Sequence, residues 1–190
     1  TMRHIAILLI CLFLAPALFA EENKTYKQPV LLTSIGQAAD ILIMKGLCKR
    51  AGVENTMLKL AIADSIKDYK CIILVAGGSS KGLGAAKIDV SDEERRGKEL
   101  VLAAQEAGIP ILTFHIGGEA RRGVLSDGFN KLAAEGAELI VVASDGDKDK
   151  LFRKAADRNH ARYIHIEKSF GGIEVLKQLF AAEGDPEDKD

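Results

Sequence analysis

Residues 71–89 read CIILVAGGSSKGLGAAKID and constrain the fold more than any other stretch. Six apolar residues rich in Ile and Val are too short for a helix and end on a Gly pair. That is the pattern of a strand buried on both faces, which belongs in a parallel sheet. A long Gly-rich loop is expected to follow it. There Gly77, Gly78, Gly82 and Gly84 free the backbone for close approach to a bound group, and Ser79, Ser80 and Lys81 supply donors, a combination suited to an anion.

The rest of the chain repeats the strand-then-helix alternation. Further strands are expected at 30–34, 56–60, 109–116, 138–143 and 163–166. Helices are expected at 37–50, 63–69, 91–107, 125–134, 144–158 and 173–182. Gly52 is a natural stop for the first, and Ser91, Asp92, Glu93 and Glu94 form a capping box for the third. Alternation of this kind implies a parallel sheet with helices on both faces and right-handed crossovers. Ligands of such sheets sit beyond the carboxyl ends of the strands. Polar, Gly-bearing loops follow strands one, three, four and five, whereas the loop after strand two, AIADS, is bland. An order of 2-1-3-4-5-6 sets the four polar loops side by side. The expected fold is therefore α/β, a three-layer doubly wound parallel sheet of about six strands, flavodoxin-like or Rossmann-like.

The first twenty residues stand apart. Met2, Arg3 and His4 make a basic start, an apolar run follows to Leu14, and small residues close it at Ala20, which reads as a secretory signal peptide. The apolar run is short for a membrane span, although an uncleaved anchor stays open. A polar leader at 21–28, a single α/β domain at 29–183 and an acidic disordered tail at 184–190 complete the expected organisation, and the mature protein is expected to be exported, periplasmic or extracellular. Without residues 1–20 the chain carries 25 basic against 27 acidic residues, which offers no global attraction to nucleic acid or anionic membrane. With no Trp, five Phe and three Tyr, it also lacks aromatic platforms for bases or sugars. Cys48 and Cys71 fall at one expected sheet edge, so a disulfide is open to them, as is the plainer role of core residues.

Several motifs fail on inspection. GGSSKGLG superficially resembles the nucleotide loop of short-chain dehydrogenases, but it follows the third strand, and Val30, Ile73 and Glu167 stand where a Lys would follow Tyr26, Tyr69 and Tyr163. Leu83 follows Gly82 where a phosphate-binding loop needs Lys. Asp145, Asp147 and Asp149 begin like a calcium loop, yet Lys150 and Ala156 occupy the positions of its Gly and Glu; acids complementing a helix start explain them better. His115, His160 and His165 have no metal-ligand spacing, so neither metal nor cofactor is expected. In HIGGEARRG, one Arg is expected to reach a ligand and the other to pair with Glu119 or Asp127. His115 is a candidate general base, or else a hydrogen-bonded residue at a strand end.

TSIGQAAD, GGSSKGLGAAKID, HIGGEARRG with Ser126 and Asp127, and DGDKDKLF together resemble an uncharacterised family of small exported bacterial α/β proteins, a domain of unknown function. The resemblance runs from Pro29 to the end of the sixth strand and implies export and this fold. It brings no activity. The family pattern has a Gly before Ile-Asp, where this chain has Lys87.

The expectation is a binding protein for a small carboxylate or phosphate. Thr33, Ser34, Gly36 and Gln37 would present a helix N-terminus to it. Gly77, Gly78, Ser79, Ser80, Lys81 and Gly82 would wrap it, Gly117 and Gly118 would open the next loop, and Arg121 would carry the counter-charge. Asp40, Ser144 and Asp145 would orient donors or take a ligand amine. A hydrolase or lyase using His115, and an envelope interaction module with an unidentified protein partner, are the alternatives. Nucleic acid and stable membrane insertion after signal cleavage are not expected.

Overall fold

The computed structural model describes residues 24–181. The expected signal peptide and acidic tail lie outside the described residues. Six parallel strands form one sheet: β1 (Val30–Ile35), β2 (Asn55–Met57), β3 (Cys71–Ala76), β4 (Ile111–His115), β5 (Leu139–Ala143) and β6 (Arg162–Ile166). Their order is β2-β1-β3-β4-β5-β6, as the loop chemistry implied. Register runs from Val30 opposite Cys71 to Ile35 opposite Ala76 between β1 and β3, and Val30 also faces Asn55 on β2.

Six α-helices lie among the described residues: α1 (Asp40–Ala51), α2 (Ser80–Ala86), α3 (Val90–Glu106), α4 (Val124–Glu135), α5 (Leu151–Asn159) and α6 (Gly172–Leu179). Because side chains alternate across a strand, each strand feeds two cores. Leu31, Ile72, Leu74 and Ile140 face a core closed by Leu100 of α3, Phe129 of α4 and Phe152 of α5. Leu32, Ile73, Val75, Phe114 and Val141 face the other, closed by Ile41, Met44 and Leu47 of α1 and Leu176 and Leu179 of α6. Cys48 and Cys71 are free, fully buried thiols of this second core, so the bridge does not form. Loss of solvation holds both thiols in the protonated form, with Cys48 pushed up to about 12.

Several boundaries differ from expectation, among them the start of α5, which falls at Leu151 and not at Ser144. The long loop after β3 is interrupted by α2, because Ser79 turns its Oγ onto the Gly82 amide at 3.0 Å and caps a helix there. The third expected helix starts at Val90 and not at the Ser91 box, since Asp89 caps it through the Asp92 amide at 2.8 Å. Strand β2 stops at Met57, and residues 63–69 supply only one 3-10 turn, Ala63–Ile66. The leader is not loose from Tyr26 onward: its ring is buried, its amide donates to Leu179 O at 2.7 Å, and its hydroxyl donates to Glu138. Both ends of the described chain thus meet at the edge where the strands begin.

Candidate functional site

Strand order reverses between β1 and β3, and a cleft of about 410 Å³ opens there, beyond the carboxyl ends of those strands. Its apolar wall comes from Ile41 and Leu42 of α1, Leu60 of the loop after β2, and Ala85 and Ala86 of α2. Gln37, Ser79, Lys59 and Lys81 supply the polar part, and no acidic side chain lines it. Neither lysine forms an ion pair among the described residues, and both are exposed. Lys59 and Leu60 belong to the loop that looked bland, because that loop begins three residues earlier than the pattern implied.

Much of the glycine loop is engaged by the protein itself. The Gly77 amide donates to Ile35 O, the Gly78 amide to Ser126 Oγ, the Ser79 amide to Gly36 O and the Gly82 amide to Ser79 Oγ. The Gly36 amide donates to Glu93 at 2.8 Å, and Gln37 and Gly78 form an isolated antiparallel bridge. These amides are already spent inside the protein. Missing side chains serve the same joint, since a Cβ on Gly36 would lie 2.4 Å from Gly77 O and one on Gly78 2.9 Å from Ser126 Cα. Of the expected wrap, Ser79, Lys81 and Gly82 do line the cleft, while Ser80 is exposed on the first turn of α2 and Gly77 and Gly78 are buried beneath.

One residue that sequence reasoning missed organises this joint. Glu93 on α3 is fully buried and accepts from the Gly36 amide, from Gln37 Nε2 at 3.0 Å and from both Nε and Nη2 of Arg96. Arg96 in turn donates to Ala61 O and Ser34 O, each at 2.6 Å. A buried charge survives only when paired and fully hydrogen-bonded, and here both conditions hold. Ser34 is itself buried with an unpartnered Oγ, and Thr33 reaches Lys59 O at 3.4 Å, so neither presents its hydroxyl to the cleft surface.

On the far side of the switch point the expected counter-charge is met internally. Arg121 Nε donates to Asp40 Oδ2, the first residue of α1, at 2.5 Å. Arg122 pairs with Asp127 and Asp149, as one of the two arginines was expected to pair with an acid, and the Asp149 hydrogen bond first and the Asp127 bond after it raise its pKa. Gly117 packs under Arg121, where a Cβ would lie 2.2 Å from Cγ, and Gly118 takes φ +58 beside Asp145. Asp145 accepts from the Glu119 amide at 3.0 Å, and Ser144 donates to Glu167 O at 2.8 Å. These two brace the loops after β4 and β5 and do not reach the cleft.

His115 is fully buried. Its Nδ1 lies 3.2 Å from Ala76 O and its Nε2 3.1 Å from Gly118 O. Phe152 stacks at 4.7 Å between ring centroids, and a Cβ on Gly146 would sit 2.5 Å from Cδ2. Burial pushes its pKa below the ordinary histidine value, partly offset by the two carbonyl bonds. The neutral ring carries one N–H and donates to one of the two carbonyls, and with no surface exposed it sits between the end of β3 and the turn after β4 as a hydrogen-bonded residue at a strand end. Among the described residues no three His, Cys, Asp or Glu side chains gather as metal ligands.

The fold and its cleft define a doubly wound α/β domain with an amphipathic pocket at the switch point. The chain belongs to the family described as Domain of unknown function (DUF6305), which matches residues 27–180. No curated protein matches it.

Proposed function

We propose that this protein binds a small organic anion in the switch-point cleft, with the head group at Lys59 and Lys81 and an aliphatic part against Ile41, Leu42 and Leu60. Two lysines that form no ion pair among the described residues, lining an apolar-walled cavity of about 410 Å³, carry this reading. Ligand sites of small size are concave, mostly apolar and oriented by a few polar groups. An anion there gains charge-assisted hydrogen bonds of ~1.5–3 kcal/mol each before screening. A prebuilt wall adds affinity because the β1 and β3 loops are already locked together and lose little freedom on binding. The same reading takes residues 2–20 as an export signal and the ligand as one met outside the cytoplasm; its support is the basic, apolar and small-residue sequence of that segment.

Calorimetry of straight and branched C4–C8 carboxylates, with the corresponding alcohols as controls, tests the site. Carboxylates should bind and alcohols should not, and a Lys59→Met, Lys81→Met double variant should lose at least ~10-fold in affinity, about 1.4 kcal/mol. Equal binding by the double variant would discard the site. For export, N-terminal mass analysis of secreted protein should find Glu21 first.

A further inference from the structure

Gln37 is 8% exposed, lines the cleft, and has its side-chain orientation dictated by its surroundings. Its amide nitrogen donates to Lys59 O at 3.1 Å and to Glu93 Oε1 at 3.0 Å. Both neighbours are acceptors, so the atom facing them is the NH₂ and its two hydrogens are used. The remaining atom, Oε1, accepts nothing from the described residues and is not among the side-chain atoms sealed away without a partner. A fixed acceptor therefore stands open on a residue of the cleft wall. The backbone here takes φ +58, a conformation costly for a residue other than Gly, and holds it through the Glu93 bond and the bridge to Gly78.

An open acceptor calls for a ligand donor, and two donors are common beside a carboxylate: an ammonium and a hydroxyl. The cleft disfavours the first. It has no acidic lining among the described residues, two lysines of its own line it, and the carboxylate that Gln37 touches, Glu93, is already saturated by Arg96, Gln37 and the Gly36 amide. A hydroxyl brings a hydrogen-bond donor without a positive charge.

We propose that the cleft recognises an aliphatic hydroxy acid, whose carboxylate meets Lys59 and Lys81, whose hydroxyl donates to Gln37 Oε1, and whose hydrocarbon chain lies on Ile41, Leu42 and Leu60. This rests on the anion-binding reading and adds the hydroxyl to it. Gln37 is then the residue that separates hydroxy acids from plain acids.

Titrations of the purified protein with 2-hydroxy-4-methylpentanoate, 4-methylpentanoate and leucine decide the matter, because the three share one carbon skeleton. The hydroxy acid should bind about 5- to 10-fold more tightly than the plain acid, the ratio expected of one well-placed neutral hydrogen bond, and leucine more weakly than either. In a Gln37→Met variant the two acids should bind equally, the hydroxy acid losing its advantage over the plain acid whatever the change in their common affinity. Equal affinities for hydroxy and plain acid in the parent would overturn the hydroxyl assignment and leave the anion site standing. Tightest binding by leucine would overturn it as well. No binding of either acid would overturn both.

Discussion

Gly82 lies so close beneath Gln37 that a Cβ on it would stand 2.0 Å from the Gln37 carbonyl oxygen. This contact joins the first turn of α2 to the β1 loop. Gly84, two residues along the same helix, has nothing within 4 Å. The two make a matched pair: Gly84→Ala should stabilise by up to ~1 kcal/mol through helix propensity, and Gly82→Ala should destabilise by ~1–3 kcal/mol through overpacking. Urea unfolding of both variants measures the difference in sign.

The pair Glu93–Arg96 is nearly enclosed, with side-chain exposures of 0% and 10%. Arg96→Leu strands a buried carboxylate and should cost ~3–5 kcal/mol. Adding Glu93→Gln should recover part of that loss, since the amide still accepts from Gly36. A double-mutant cycle on denaturation midpoints reads the coupling, and additive losses would contradict it.

His115 makes stability depend on pH. Its pKa in the fold is depressed chiefly by burial, so below about pH 6.5 the unfolded chain takes up the proton first. The contribution is complete above that value and is lost as pH falls through it toward the folded pKa. Unfolding midpoints between pH 7.5 and 5 should drop less steeply in His115→Gln than in the parent.

Cys48 and Cys71 should resist alkylation in the native protein and label fully after unfolding without reductant. Labelling that needs reductant would show a bridge the two core positions do not make.

Lys87 closes α2 with φ +57, a left-handed position that suits Gly. Its replacement by Gly should stabilise by roughly 0.5 kcal/mol, the relief of backbone strain exceeding the added freedom of the unfolded chain. A thermal melt of the variant should move upward.

Strand order was legible because loop chemistry is written in local sequence, and the Gly77–Gly78 pair marked the true end of β3. The function of those glycines was not legible. A glycine announces that something comes close without saying whether it is a ligand or the protein's own backbone, and here it is Gly36, Ser126 and Gln37. Glu93 was invisible for a related reason: a Glu in the first turn of a helix looks like a cap, and only the packing of α3 against the β1 loop turns its carboxylate inward. Lys59 was hidden by a strand boundary, because Leu58 and Leu60 extend the apolar alternation past the point where pairing with β1 ends. Asp40 and Arg121 were both picked out, but distance along the chain concealed that each neutralises the other.

The amide of Tyr26 meets the carbonyl of Leu179 at the edge where the strands begin. All six strands run the same way, so this junction and the cleft are separated by the length of a strand, ~17–20 Å for five or six residues. Anything joined directly to the chain at Tyr26 or Leu179, whether a tag, a fused domain or a solid support, therefore departs on the far side from the pocket. A short linker across the junction would also close the backbone into a circle, and the chain could be reopened elsewhere for a permuted sensor without disturbing the cleft mouth.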